Sequence, residues 1–245
     1  MNIIGLMQKI CDSAANYPDG IMSSRRKIYT CVNPYSYLIA RKNLDLYGKL
    51  DGVFVDGITM CMWIRFLHGS KIPRLSFDMT GMAKDLFERV CDTGETIYFI
   101  GTSQEQLEKT MGVIATSYPG MTIVGKRNGY FNGDDDRQRA IRKIVEANPD
   151  FTIVGLGSPL QEQFVVDLKA AGYQGIAFTC GGFLHQTAQG INYYPAWVDK
   201  YNLRAFYRLF HEKGLWGRLF NVLIGFPVTF AFDLTSSRFK KNQEE

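Results

Sequence analysis

The sequence predicts an α/β fold in which a parallel sheet is flanked by helices and followed by a C-terminal helical appendage. Three observations carry that expectation. Short runs of β-branched and aromatic residues alternate with segments of helical periodicity, the signature of parallel strands joined by helices. Several apolar runs end abruptly in glycine, as in FIGTS, FTIVGLG and GIAFTCGG. From Asp199 onward the alternation gives way to interspersed cations and aromatics. The first pattern predicts a Rossmann-like, doubly wound sheet over residues 1–195, with the appendage at 196–245.

Taken in order, residues 1–26 read as a helix and loop, with Ile3, Ile4, Met7 and Ile10 at helical spacing before Tyr17-Pro18-Asp19-Gly20 breaks it. KIYTCV (27–32) is a first strand that ends at Asn33-Pro34, and a helix is expected over 35–50. DGVFVDG gives a short strand closing at Asp56-Gly57, and ITMCMWIRFLHG an apolar helix. TIYFIG (96–101) is the next strand, and the helix after it has Ser103 as cap. MTIVGKRNGYF is a strand and loop, DDDRQRAIRKIVEANP a helix, FTIVGLG a strand, FVVDLKAAG a helix and GIAFTCGG a strand.

Composition narrows the functional classes. With 46% hydrophobic and 21% charged residues the chain is globular, and 245 residues are enough for one α/β domain with a substantial core. A net charge of +4 with no long basic run gives no reason to expect nucleic acid. Five cysteines without CxxC spacing suit a reducing, cytosolic setting. The N-terminus lacks the pattern of a signal peptide, and LFNVLIGFPVTFAF, broken by Pro227, is too short to span a bilayer. The cations and aromatics between Asp199 and Lys241 suit either a membrane interface or a core helix with a solvated basic face.

The stretch most suggestive of chemistry is DFTIVGLGSPLQEQ, residues 150–163. A strand, a tight glycine turn and a helix entrance at the carboxyl rim of a parallel sheet are where backbone N–H groups meet a phosphate. Gly155 and Gly157 permit close approach, Ser158 offers a hydroxyl, and Gln161 and Glu162 are expected to project toward a ligand from the first helical turn. An ordinary βα turn has the same outline. Asp56 also ends an apolar strand, where it serves either chemistry or the cap of the following helix. His68, His185 and His211 form no recognisable metal triad, and the DDD at 134–136 is explained by compensation of a helix dipole.

GLGSPLQE, then GYQGIAFTCGGFLHQTAQG, YYPAW and NLRAFYRLFHEKGLWGR, resemble in this order the segments of the WecG/TagA/CpsF family of bacterial glycosyltransferases. The resemblance covers most of the chain. It implies that Asp56 is the catalytic base and that Asn33 lies in the catalytic and acceptor pocket, with Cys31 where relatives carry threonine. It implies a diphosphate-binding Arg74, substrate contacts from Gln161, Gly181 and Gly182 with Glu162 in a structural role, and Tyr130 in a family signature where packing is favoured slightly over base stacking. Arg208 and Arg218 match arginines of a C-terminal segment that closes over the site, and Tyr193 and Ala83 depart from the family pattern.

The function so implied is inverting transfer of a hexose or N-acetylhexosamine from a UDP-sugar to a polyprenyl-diphosphate-linked saccharide, in cell-surface polysaccharide synthesis. The resemblance implies no cofactor and no metal, a site at the inner face of the bacterial cytoplasmic membrane, and self-association or membrane contact that orders the C-terminal segment. Two rivals stand beside it. A dinucleotide-dependent oxidoreductase should carry GxGxxG after its first strand, where this chain has CVNP. A non-catalytic membrane-associated subunit that binds nucleotide-sugar or lipid-linked sugar would share the fold.

Overall fold

The computed structural model describes residues 1–200, 204, 207 and 221–244. Six strands form one sheet: β1 (Lys27–Val32), β2 (Gly52–Val55), β3 (Thr96–Gly101), β4 (Thr122–Arg127), β5 (Phe151–Gly155) and β6 (Ile176–Thr179). Every pairing is parallel and the order is β2-β1-β6-β5-β3-β4. The chain winds outward from β1 to β2, crosses to β3 and β4, and returns through β5 to β6, which lies against β1. This is the doubly wound α/β arrangement, and all six carboxyl ends share one rim.

The helices are α1 (Ile3–Ala15), α2 (Asp19–Met22), α3 (Pro34–Ala40), α4 (Leu44–Gly48), α5 (Ile58–His68), α6 (Met82–Thr93), α7 (Gln104–Ser117), α8 (Gly133–Ala147), α9 (Leu160–Ala170), α10 (Phe183–Thr187) and α11 (Ala196–Lys200). A π-helical turn, Asn221–Gly225, leads into a C-terminal helix, Phe226–Glu244. Because strand side chains alternate between faces, the buried strands feed two cores. Val32, Val55, Ile100 and Val154 meet Leu6, Ile64, Phe164 and Phe226 on one face. Tyr29, Phe99, Ile153 and Phe178 meet Leu86, Phe87, Leu107 and Phe183 on the other.

Two departures from the sequence reading have local causes. The helix expected over 35–50 divides into α3 and α4, because Asn43 turns its side chain back to the Ile39 carbonyl at 2.8 Å and ends the helical run. Helix α6 had no counterpart in that reading; its buried Met82, Leu86, Phe87 and Val90 hold helical spacing, but its N-cap, Gly81, supplies no capping side chain. The C-terminal helix expected from the sequence is present and packs against α1, α3 and α5. Phe226 and Phe230 pack edge-on against Tyr37, and buried Asp233 takes two hydrogen bonds from Arg41 and one from the Tyr37 hydroxyl. Among the described residues no helix is long and apolar enough to cross a membrane.

Candidate active site

Asp56 follows β2 at the carboxyl rim, its N–H bonded to the Val32 carbonyl at 2.8 Å. Helix α5 begins behind it with Gly57, at φ 104°, as N-cap and no side-chain cap. Asp56 is therefore not the helix cap that strand-end aspartates often become. Its half-buried carboxylate instead accepts from Arg74 at 3.1 Å. The segment carrying Arg74 is held at the end of β2 because Leu75 N–H bonds the Val55 carbonyl at 2.9 Å.

Arg74 also donates to Asp78 at 2.5 Å and to Thr80 Oγ1 at 3.2 Å. Asp78 is the hub of this cluster. It accepts from the Ser76 hydroxyl, from the Thr80 backbone and hydroxyl at 2.8 and 2.7 Å, and from Arg204 at 2.6 Å. Burial alone would raise the Asp78 carboxyl, yet the Arg74 and Arg204 guanidiniums outweigh it and hold the group down at about 2. Burial opposes the charge on Arg74, and Asp56 and Asp78 more than offset it, so its already high pKa is raised further. Both partners stay ionised. At the end of β1, burial pushes the Cys31 thiol well above its usual range, with Asp56 adding to the effect.

Beside Asp78 opens a cavity of about 490 Å³, bordered by Thr80, Phe183, Gln186, Tyr193, Tyr194 and Arg204. That volume suits a sugar ring or a similar small polar ligand. Tyr193 and Tyr194 form its tyrosine wall, 4.8 Å apart and edge-on, each backed by the Tyr207 ring at 5.9 and 5.8 Å, with the Arg204 guanidinium 4.7 Å from the Tyr194 ring.

The β5 and β6 turns are tied from below. Glu162 is fully buried, and its Oε1 accepts from Thr30 at 2.8 Å and from Ser158 and Gln161 at 3.0 Å each. Gln161, also buried, accepts from the Gly181 N–H at 3.2 Å. Gln161 thus points beneath the rim and not outward as the sequence suggested, and Glu162 has the structural place that the resemblance implies. The first turn of α9 lies over β1 and β6, where no solvent competes for their polar atoms. Gly155 faces the neighbouring turn, since a Cβ there would sit 3.0 Å from Cys180 Sγ. Gly157 and Gly181, at φ 75° and 52°, leave open space on the rim, and Gly181 and Gly182 are exposed.

A model of the glycosyl transferase WecG/TagA/CpsF family matches residues 6–243. The chain belongs to this family. It is 33% identical over 203 residues to the UDP-Gal:alpha-D-GlcNAc-diphosphoundecaprenol beta-1,4-galactosyltransferase of Shigella boydii, covering 83% of this chain and 85% of that one. It is 26% identical over 199 residues to the N-acetylglucosaminyldiphosphoundecaprenol N-acetyl-beta-D-mannosaminyltransferase of Bacillus subtilis strain 168, covering 80% and 75%.

Of the residues that family resemblance singles out, the structure brings Asp56 and Arg74 into direct contact, with Asn33 on the adjoining strand end. Asn33 caps α3: its Oδ1 accepts from the Tyr35 and Ser36 N–H groups at 3.0 Å, and its own N–H donates to Ser36 Oγ at 2.9 Å. Ser158 and Gln161 sit in the buried network under the β5 turn. Tyr130 is 74% exposed beyond β4, so the packing role favoured from the sequence is not what it has. β2 and β4 are opposite edges of the sheet, five strand spacings or about 24 Å apart, which keeps Tyr130 away from Asp56.

Arg208 and Arg218 lie outside the described residues. His185 is exposed, and among the described residues no three His, Cys, Asp or Glu side chains converge as metal ligands would. Two residues of this cluster, Asp78 and Arg204, were not singled out from the sequence. The one available signal was the spacing of Asp78 four residues after Arg74.

Proposed function

We propose that this glycosyltransferase moves a hexose or N-acetylhexosamine, with inversion, from a UDP-sugar to a polyprenyl-diphosphate-linked saccharide. The product serves the synthesis of a cell-surface polysaccharide. The observation that carries this reading is the Asp56–Arg74–Asp78 cluster at the rim, whose Asp78 end borders a cavity of about 490 Å³ that Asp56 and Arg74 do not line. The names of the two relatives support the class of acceptor, a saccharide on undecaprenyl diphosphate, and one of them names UDP-galactose as donor.

In this mechanism the Asp56 carboxylate takes the proton of the acceptor hydroxyl, whose oxygen bonds to the anomeric carbon. The bond from that carbon to the UDP oxygen breaks on the opposite face, and its electron pair leaves with the diphosphate. Arg74 meets that developing charge. Its Nη2 donates to both Asp56 and Asp78 and its Nη1 to Thr80, so a phosphate oxygen arriving beside Asp56 would meet a guanidinium already held at the rim. Cationic side chains carry the charge in this reading, so transfer runs without a divalent cation. The enzyme works as a peripheral protein at the inner face of the cytoplasmic membrane, where its acceptor resides.

The test is transfer from a panel of labelled UDP-sugars to a short-chain lipid-diphosphate-sugar, with and without chelator. One donor giving product that survives the chelator supports the reading. Loss of product on chelation overturns metal-independence alone. UDP binding without transfer from any donor would favour a non-catalytic subunit.

A further inference from the structure

The cavity beside Asp78 is bordered on one side by the loop before α6 and on the other by the segment after α10. Arg204 ties the two sides together. It donates to Asp78 at 2.6 Å and to Thr80 Oγ1 at 2.7 Å, and its guanidinium lies 4.7 Å from the Tyr194 ring. Asp78 already takes five donors, Arg74 and Arg204 among them, so the charges on this wall answer one another. The rest of the lining that concerns a ligand is neutral: the rings of Tyr193, Tyr194 and Phe183, and the amides of Gln186 and Asn192.

Gln186 is buried, only 9% exposed, and its Nε2 donates to the Tyr194 hydroxyl at 3.3 Å. Among the described residues no hydrogen bond reaches its Oε1. A buried amide oxygen on a cavity wall costs free energy unless something in the cavity meets it. An amide both donates and accepts, as a hydroxyl does, so it pairs with sugar hydroxyls without needing a charge. Tyr193 and Tyr194 meet at 81°, a corner and not a pair of parallel faces. A flat base stacks between parallel faces, whereas a puckered ring with apolar C–H groups on one face and hydroxyls around its edge fits a corner. A phosphate here would meet Asp78, whose charge the two guanidiniums already answer.

We propose that this cavity is a subsite for a neutral pyranose, with Tyr193 and Tyr194 covering its apolar face and Gln186 and Asn192 selecting among its hydroxyl patterns. The assignment rests on the proposed transfer reaction, in which donor and acceptor each carry such a ring. It leaves the diphosphate to Arg74, which does not line the cavity but shares Asp78 and Thr80 with Arg204. Sugar ring and diphosphate then lie on the two sides of one anchor, Asp78.

The experiment is calorimetric titration of the full chain with two pairs of ligands: UDP-galactose against UDP, and a short-chain N-acetylglucosaminyl-diphosphate lipid against the same lipid diphosphate without its sugar. Wild type is compared with Gln186→Met, which keeps the length of the side chain, and with Asn192→Ala, whose exposed position spares the fold. Thermal melts are checked first. The expected result is that one sugar-bearing ligand loses about tenfold in affinity in both variants, the scale of one lost hydrogen bond, while its sugarless partner binds as it does to wild type. Loss confined to UDP-galactose puts the donor's ring in the cavity, and loss confined to the lipid puts the acceptor's ring there; either supports the subsite. A sugarless ligand weakened as much as its partner makes the cavity a nucleotide or diphosphate pocket and overturns the proposal. Unchanged affinity for all four ligands overturns it too. If the binding pattern holds but no donor is transferred, the subsite stands and the transfer reading falls.

Discussion

Arg74 is shared between two carboxylates, 3.1 Å from Asp56 and 2.5 Å from Asp78. Asp78 is the anchor, held by five donors, and Asp56 is the looser, more solvent-accessible partner. Arg74 can therefore swing part of its fork toward a phosphate while remaining tethered. Removing the Asp56 charge leaves that tether intact. Asp56→Asn is expected to lower transfer about a hundredfold or more, the scale of general-base effects. Its partly exposed ion pair contributes little to folding, so urea denaturation should place the variant within about 1 kcal/mol of wild type.

Replacing Arg74 by lysine keeps one charge but loses the fork that reaches Asp56, Asp78 and Thr80 together. Arg74→Lys is expected to reduce kcat about a hundredfold, as when a preorganised donor to a leaving charge is removed. Steady-state kinetics with saturating acceptor would show it. A variant with wild-type kcat would place the charge stabilisation elsewhere.

The low pKa of Asp78 ties stability to acid. Its folded value of about 2 lies below that of an unfolded aspartate, so the native state binds fewer protons between the two values. The stabilisation is fully present above the unfolded value and is lost as pH falls through the folded one. A depression of this size corresponds to about 2 kcal/mol. Urea unfolding at steps from pH 5 to pH 2 should show Asp78→Asn losing less stability than wild type over that interval, by about that amount.

The parts of this fold legible in the sequence are those set by local pattern. FTIVG and TIYFIG read as strands because β-branched and aromatic runs stop at glycine, and they became β5 and β3. Gly101 shows why glycine stands there: at φ 151° a Cβ would fall 2.4 Å from the Gly155 carbonyl oxygen. The place of Asp56 at the strand end was legible in the apolar run it closes, whereas a role as base came only from the family resemblance. Arg204 was not, because it reaches Asp78 across 126 residues of chain and no local pattern encodes that contact. The inward turn of Gln161 was likewise hidden, since periodicity fixes which residues share a helix face but not what that face meets.

Glu162 provides a test of the network under the rim. Three donors converge on its Oε1, and Thr30 also shares a 2.6 Å hydrogen bond with Thr179. Glu162→Ala would take the acceptor from the Thr30 and Ser158 hydroxyls, at about 1 to 3 kcal/mol for each donor left unpaired, while the Gln161 amide keeps Ser158 Oγ at 3.3 Å. The expected outcome is a loss of several kcal/mol in urea denaturation. An unchanged midpoint would show that the network contributes nothing net.

The C-terminal helix changes what a truncation can report. Cutting after residue 195 would remove Phe226 and Phe230, which fill the space against Tyr37, and would leave Arg41 without Asp233. Loss of one large buried aromatic costs about 3 to 5 kcal/mol, and breaking a buried ion pair costs a similar amount. These losses together rival the whole stability of a typical domain, about 5 to 15 kcal/mol. The truncated chain is therefore expected to be unfolded or nearly so by circular dichroism, and its inactivity would say nothing about closure of the site. The informative variant is Arg204→Ala in the full chain, which removes the contact to Asp78 and Thr80 and leaves the helix in place. Transfer should fall while the melting temperature stays within a few degrees of wild type; if transfer is unchanged, Arg204 has no part in shaping the site.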